Sequence, residues 1–482
     1  MGTINIKAYT EAVMAKAREA QKIYEAMASQ ELYDKAARAA AKAIYDAAEM
    51  LAVEAVEETQ MGNVPDKIAK QRGLLTGQWA FAKGKKTTGV IGVEQGKLDK
   101  DCIITIAKPI GVICAVEPST NPTATLAANC MQALKTGNAV VICSHPKAKN
   151  VSIHCTELIR DAIAEMGIPK DLVQCVEEPS LDMTSAFMSA ADVVVATGGP
   201  SMVEAANSSG KPSFGVGQGN CQVCIDKGMS KEFEKLASLM VPNRSMDNAV
   251  MCTGEQGFIL PSEDYDAFKK AFSMQNVMFV EDEAVIDRIR NVCFVPKADG
   301  NGMRLNAAMA GKSAKELGAV AELEVPDGVT LLICRIKSFG EAEMLCHEKL
   351  MPVSYVYTYE GEWKMAIDIA ISNLNIEGIG HSTVVISDDK DNQLYAGLQL
   401  PVCRVIINNS DIAVGGGAYT YNGVSYDTGT VATSGVGCGF WQKNILCENF
   451  DFLRLLNYTR IIYTVEVDQI QTEEEVWSET AE

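Results

Sequence analysis

The chain has 482 residues, 47% of them hydrophobic and 22% charged, which suffices for two or three domains with ordinary globular cores. A formal net charge of −19 excludes a nucleic-acid backbone as partner, because phosphates require a basic face. No run approaches the ~18 apolar residues of a membrane span, and the start carries no secretory apolar region, so a cytoplasmic protein with reduced cysteines is expected.

Residues 4–58 predict helices, with apolar residues recurring near every 3.6 positions in "AYTEAVMAKAREAQKIYEAM" and "YDKAARAAAKAIYDAAEMLAVEAVEE". From about 103 the texture changes. Short Val/Ile runs ("PIGVICAVEP", "NAVVICSHP", "LVQCVEEP", "DVVVATGG") alternate with helical stretches ("TATLAANCMQALKTG", "VSIHCTELIRDAIAEMG", "LDMTSAFMSA", "PSMVEAANSSG"). Such a series implies a mostly parallel sheet covered on both faces. A second α/β series begins near 249, with strands in "VTLLICRI", "PVSYVYTY", "STVVISD" and "CRVIINN" and helices in "DYDAFKKAF", "EAVIDRIRNVC" and "EWKMAIDIAISNLN". The seam falls near 240. Gly-rich text from about 410 leads into an acidic tail.

Several stretches carry possible chemistry. In "DVVVATGGPSMVEAANSSG" a strand runs into Thr197, Gly198 and Gly199 and then a helix, a turn that lets backbone N–H groups approach a phosphate; a ligand-free turn is the other reading. The cluster "FGVGQGN" has glycines at a dinucleotide-like spacing, but a strand follows where the fingerprint requires a helix, so it reads as a tight loop near a reacting centre or a plain turn. Cys221 and Cys224 form the one close cysteine pair, yet they lie in a strand-like run, where residues three apart face opposite sides. The four histidines are scattered, and no metal site is expected. Cys252, in "NAVMCTGEQ", sits where an apolar run meets a turn, a reachable place for a nucleophile, although fifteen cysteines compete for that role.

Taken together, these segments resemble the aldehyde dehydrogenase superfamily, and within it the CoA-acylating branch. The resemblance is carried by "KPIGVICAVEPSTNPT", "ATGGPSMVEAANSSGKPSFGVGQGN", "DNAVMCTGEQ", "EKLMPV" and the tail "GVGCGFWQKNILCEN". It implies an α/β fold: a Rossmann-type cofactor domain (1–240), a second α/β catalytic domain (241–427) and a small oligomerisation element (428–482), with strand 102–109 expected to join the last. It implies Cys252 as nucleophile, Asn121 as holder of the thiohemiacetal oxygen and Glu348 on the nicotinamide ribose. Thr197, Gly198, Gly199, Ser144, His145, Lys147 and Gly215 are expected at the cofactor. The cofactor is NAD or NADP, Lys147 being a possible contact for a 2′-phosphate, and coenzyme A is the co-substrate.

Hydrolytic relatives carry a water-activating Glu where this chain has Gly215. General-base help is typically worth about 10²–10⁴-fold, and a thiol such as CoA needs it far less than water does. Arg244 is a candidate for an anionic substrate tail. His381 either assists proton transfer, contacts CoA or is a packed histidine. The resemblance points to succinate semialdehyde as the aldehyde, with acetaldehyde, propionaldehyde and sulfoacetaldehyde as alternatives, and to a homodimer or homotetramer free in the cytosol.

Overall fold

The structure is a computed structural model that describes residues 5–96, 100–300, 302–421 and 424–478; residues 1–4 and the last four of the acidic tail lie outside it. The N-terminal helical region resolves into helices Ile6–Ala26, Gln30–Asp46 and Ala48–Thr59. The Asn5 and Ser29 side chains cap the first two by accepting the Ala8 and Leu32 N–H groups. A fourth helix, Val64–Ala82, is not announced by periodicity, because Pro65, Gly73 and Gly77 interrupt its apolar pattern. Its start is marked instead by Asn63, whose side chain accepts the Asp66 N–H at 3.0 Å.

Five parallel strands form the first sheet, in spatial order Val173–Cys175, Ala139–Cys143, Val112–Val116, Val193–Thr197, Ser213–Val216. The strands Val112–Val116 and Ala139–Cys143 are buried at every residue, as expected of parallel strands covered on both faces. The helix Pro122–Lys135 is likewise buried along its length. Because the chain starts at the central strand, runs to one edge and then returns to the other side, the sheet has a topological switch point between Val112–Val116 and Val193–Thr197. Ligands bind at such points, outside the C-terminal ends of the strands.

Seven parallel strands form the second sheet, ordered Val277–Val280, Leu331–Arg335, Val353–Tyr359, Glu255–Pro261, Cys221–Ile225, Gly380–Ile386, Val402–Ile407. The chain therefore passes between sheets after Val216 and before Cys221, earlier than the seam read near 240 from texture. The helix Phe233–Ser245 already packs on the second core through Phe233, Leu236 and Met240. Texture missed the crossing because both sheets are built from similar βα text. Cys221 and Cys224 lie in separate apolar cores on the two faces of their strand.

A third, antiparallel sheet joins Gly89–Glu94, Ile103–Pro109 and Leu456–Ile462. The C-terminal segment thus returns to the first unit, where Leu446, Phe450 and Leu455 enter the core and Phe450 lies 5.3 Å from Phe214, ring to ring. Among the described residues no helix is long and apolar enough to cross a membrane, and the cysteines are free thiols.

Candidate active site

A cleft of about 1690 Å³ runs between the two large sheets. From the first sheet it receives the residues just past the strand ends, among them Ser144, His145, Thr197, Gly198 and Gly199. From the second it receives residues that precede strands: Cys252 before Glu255–Pro261, and Glu348 before Val353–Tyr359. Asn121, at the start of the helix Pro122–Lys135, completes the wall.

Cys252 is partly exposed to the cleft. Burial pushes its thiol up to about 12, and the nearby Glu348 carboxylate adds to the rise. The loop "FGVGQGN" presses against it: a Cβ on Gly219 would lie 2.3 Å from the Cys252 carbonyl oxygen, so only glycine permits this approach. The Gly219 N–H donates to Glu348 Oε1 at 3.3 Å, and the Gln218 side chain also reaches that carboxylate. Glu348 is nearly buried, and burial, with Glu377 second, raises its carboxyl to about 8. The Asn121 amide donates one hydrogen to Thr125 Oγ1 at 3.1 Å, leaving its second N–H for a partner in the cleft.

The cofactor end has the features a dinucleotide requires. The buried Ser144 hydroxyl lies beside the Cys175 thiol and finds no nitrogen or oxygen partner among the described residues. Gly198 and Gly199 open directly into the helix Pro200–Asn207, and a Cβ on Gly199 would meet nothing within 4 Å, so a ligand can approach the backbone. His145 is exposed, and burial of part of its ring with Lys147 nearby lowers its pKa. Glu117, which the sequence reading passed over, directly follows the central strand and lines the cleft; one carboxylate oxygen accepts from Asn129 at 2.8 Å, and burial raises the group to about 7.

Four expected site residues stand elsewhere. Arg244 does not reach the cleft. It is 1% exposed and donates to Ser354 Oγ, Gln256 Oε1 and the carbonyls of Lys349, Met351 and Val353, at 2.9–3.2 Å. It braces the Glu348 segment rather than meeting a substrate. His381 is fully buried outside the cleft lining, with Nδ1 2.7 Å from Ser382 Oγ; burial first, and then the Arg404 guanidinium, depresses it to about 3, so it is neutral. Lys147 is exposed beyond the cleft wall, its backbone N–H donating to His145 Nδ1. Gly215 lies inside a strand behind the lining residues Val216, Gly217 and Gln218. A Cβ there would fall 2.5 Å from Val203 Cγ1, so no carboxylate side chain fits without moving Val203.

The sequence reading also missed Lys70, which lines the cleft from the helix Val64–Ala82. The only sequence signal for that helix was the Asn63 cap with Pro65 behind it. No group of His, Cys, Asp and Glu able to hold a metal ion occurs among the described residues.

Residues 5–276 match the aldehyde dehydrogenase family model. The chain is 38% identical over 465 residues to a succinate-semialdehyde dehydrogenase (acetylating) from Clostridium kluyveri, covering 96% of this chain and 98% of the relative. Among solved structures, an acetylating aldehyde dehydrogenase from Geobacillus thermoglucosidasius is similar over 97% of this chain and 98% of its own, with TM-score 0.87 and 28% identity. A propionaldehyde dehydrogenase from Rhodopseudomonas palustris, solved with bound CoA and an acylated cysteine, is similar over 94% of this chain and 96% of its own, with TM-score 0.78 and 26% identity. The chain therefore belongs to the aldehyde dehydrogenase family, among its acylating members.

Proposed function

We propose that this acylating aldehyde dehydrogenase converts succinate semialdehyde, NAD(P) and CoA to the acyl-CoA thioester, reversibly, with Cys252 as nucleophile. The observation that carries the acyl-transfer chemistry is Gly215. Where hydrolytic relatives are expected to hold a water-activating carboxylate, this chain has a glycine walled in by Val203. The choice of aldehyde rests on the Clostridium kluyveri relative, which matches this chain nearly end to end.

The chain's own groups then act as follows. Cys252 attacks the aldehyde carbonyl. The free N–H of the Asn121 amide and the Cys252 backbone N–H hold the developing oxyanion, an arrangement that costs no reorganisation when the charge appears. NAD(P), held through Glu348 and the Thr197–Gly199 turn, would supply the hydride acceptor. Glu348 accepts hydrogen bonds from ribose hydroxyls, which favours its charged form and offsets its own raised pKa. After the aldehyde hydrogen has left as hydride, the CoA thiol attacks the Cys252 thioester; the acyl–CoA sulfur bond forms as the Cys252–acyl bond breaks, and the CoA thiol proton passes to the departing Cys252 sulfur. The buried Ser144 hydroxyl and the Thr197–Gly199 turn hold the adenosine and phosphate end, and strand Ile103–Pro109 with Leu456–Ile462 forms the oligomer contact.

Incubation with succinate semialdehyde and either NAD or NADP tests this. Without CoA, reduced nicotinamide should stop after about one equivalent per site, the signature of an accumulating acyl-enzyme. With CoA it should continue. Sustained formation of the free acid without CoA, at the CoA-dependent rate, would move the enzyme to the hydrolytic class. A higher kcat/KM for acetaldehyde, propionaldehyde or sulfoacetaldehyde would leave the chemistry and change the substrate.

A further inference from the structure

The loop that leads to Cys252 contains three successive left-handed residues, none of them glycine: Asp247 (φ 53°), Asn248 (φ 53°) and Ala249 (φ 61°). Asn and Asp tolerate this region, Ala does not, and a run of three persists only where surrounding contacts over-determine it. Those contacts come from the helix Val64–Ala82 and the turn before it. The fully buried Asp247 carboxylate accepts from the Asn63 N–H at 3.0 Å, from Lys67 Nζ at 3.0 Å and from Lys70 Nζ. The Asp247 N–H donates to Asp66 Oδ2 at 2.7 Å. Gly62 lies so close that a Cβ there would overlap Asp247 Oδ1, at 1.8 Å. On the far side, the Asn248 amide donates to the Gly311 carbonyl at 2.8 Å.

The same two ammonium groups face a second loop. Lys67 Nζ and Lys70 Nζ each lie 3.4 Å from the Thr120 carbonyl oxygen, the residue immediately before Asn121. The lysine side chains are only 5% and 8% exposed, so the contacts are shielded from water and hold their geometry. One pair of side chains from one helix therefore touches both the loop that presents the nucleophile and the loop that presents the oxyanion donor. Among the described residues, no other side chain hydrogen-bonds to both the Asp247 carboxylate and the Thr120 carbonyl.

We infer that Lys67 and Lys70 are positioning residues that set the separation of Cys252 and Asn121 by clamping Asp247 and the Thr120 carbonyl together. The inference rests on the roles proposed above for Cys252 and Asn121. Neither lysine is required to meet the aldehyde. Reacting groups must be held near attack geometry, and a displacement of about 1 Å can cost ~10²-fold in rate, so a clamp remote from the chemistry is felt in kcat.

The test compares Lys70→Met, Lys70→Arg, Asp247→Asn and the Lys70→Met/Asp247→Asn double variant, with rates expressed per Cys252 labelled by iodoacetamide so that misfolded molecules do not count. Lys70→Met should lower kcat by about 10–100-fold with the KM for cofactor within about threefold of wild type. Lys70→Arg, which keeps charge and donors, should recover most of the loss. The double variant should lose no more than the worse single one, because both changes break one contact set. Wild-type kcat in Lys70→Met, failure of Lys70→Arg to recover activity, or multiplicative losses in the double variant would each overturn the clamp. Cys252→Ser run alongside, with its rate expressed per folded chain, separates the two levels: if it retains activity the underlying assignment is wrong, whereas its inactivity together with an unaffected Lys70→Met defeats the clamp alone.

Discussion

The five-stranded sheet reaches the cleft with residues that directly follow its strands, whereas the seven-stranded sheet reaches it with loops that precede its strands. Ser144 is one residue past Ala139–Cys143, and Thr197 closes Val193–Thr197. Cys252 and Glu348 stand three and five residues ahead of theirs. Residues at a strand end are placed by sheet register. Residues in a leading loop need separate braces, and the structure supplies them: Arg244 under the Glu348 segment, Gly219 against Cys252, and the contacts around Asp247. The second side of the cleft, together with the Thr120–Asn121 loop that Lys67 and Lys70 touch, should therefore be sensitive to changes far from the chemistry, and the strand-end residues Ser144 and Thr197 should not.

Four variants sharpen or break this contrast. Cys252→Ser should lower CoA-dependent turnover by about 10³-fold or more with an unchanged Tm, because an alcohol is a far poorer nucleophile than a thiolate. Arg244→Leu should be the most damaging remote change. It strips the donor from three carbonyls and from Gln256 and Ser354, and a buried polar group left unpaired costs about 1–3 kcal/mol, so a loss of roughly 3–5 kcal/mol in urea unfolding is expected. The KM for succinate semialdehyde in the molecules that fold should not rise; a large rise would return Arg244 to the substrate.

Glu348→Gln should cost about 10–100-fold in kcat/KM for the cofactor, the worth of hydrogen bonds to a charged group. Above about pH 8, where Glu348 is ionised in wild type, iodoacetamide should label Cys252 faster in the variant, because the charge that raises the thiol is gone. The variant also has a pH signature. A carboxyl raised to about 8 in the folded state binds more protons folded than unfolded, so it lowers stability progressively as pH climbs from the unfolded carboxylate range towards 8. Wild type and Glu348→Gln should match most closely in acid and diverge as pH rises, with the variant the more stable; parallel curves would place Glu348 in a more polar setting. At the small end, Lys147→Ala should change the KM for NADP by less than about threefold, as for an exposed side chain away from a ligand. A larger loss would extend the cofactor site past His145.

Much of the architecture could be read from residues in order. The helix over Leu181–Ala190 and that over Glu283–Cys293 have the bounds their text implies, since a 3.6-residue period and flanking turns are local properties. The helix Val64–Ala82 escaped because its glycines and proline erase that period, and with it went Lys67 and Lys70. Its stability comes from packing and from the Asp247 contacts, neither of which leaves a local mark.

By itself, then, the sequence determined the two α/β series, the parallel character of their sheets and the motif set around Asn121, Thr197–Gly199, Cys252 and Glu348, because hydrophobic period, turn chemistry and motif order are written in neighbouring residues. The tertiary structure alone decided that the chain changes sheet before Cys221, that Gly215 has no room for a side chain, and that Arg244 and His381 are interior groups while Lys70 faces the cleft. Those outcomes depend on what packs against each side chain from segments far away in the chain, and burial of a charge or a clash at a missing Cβ exists only once those segments have met.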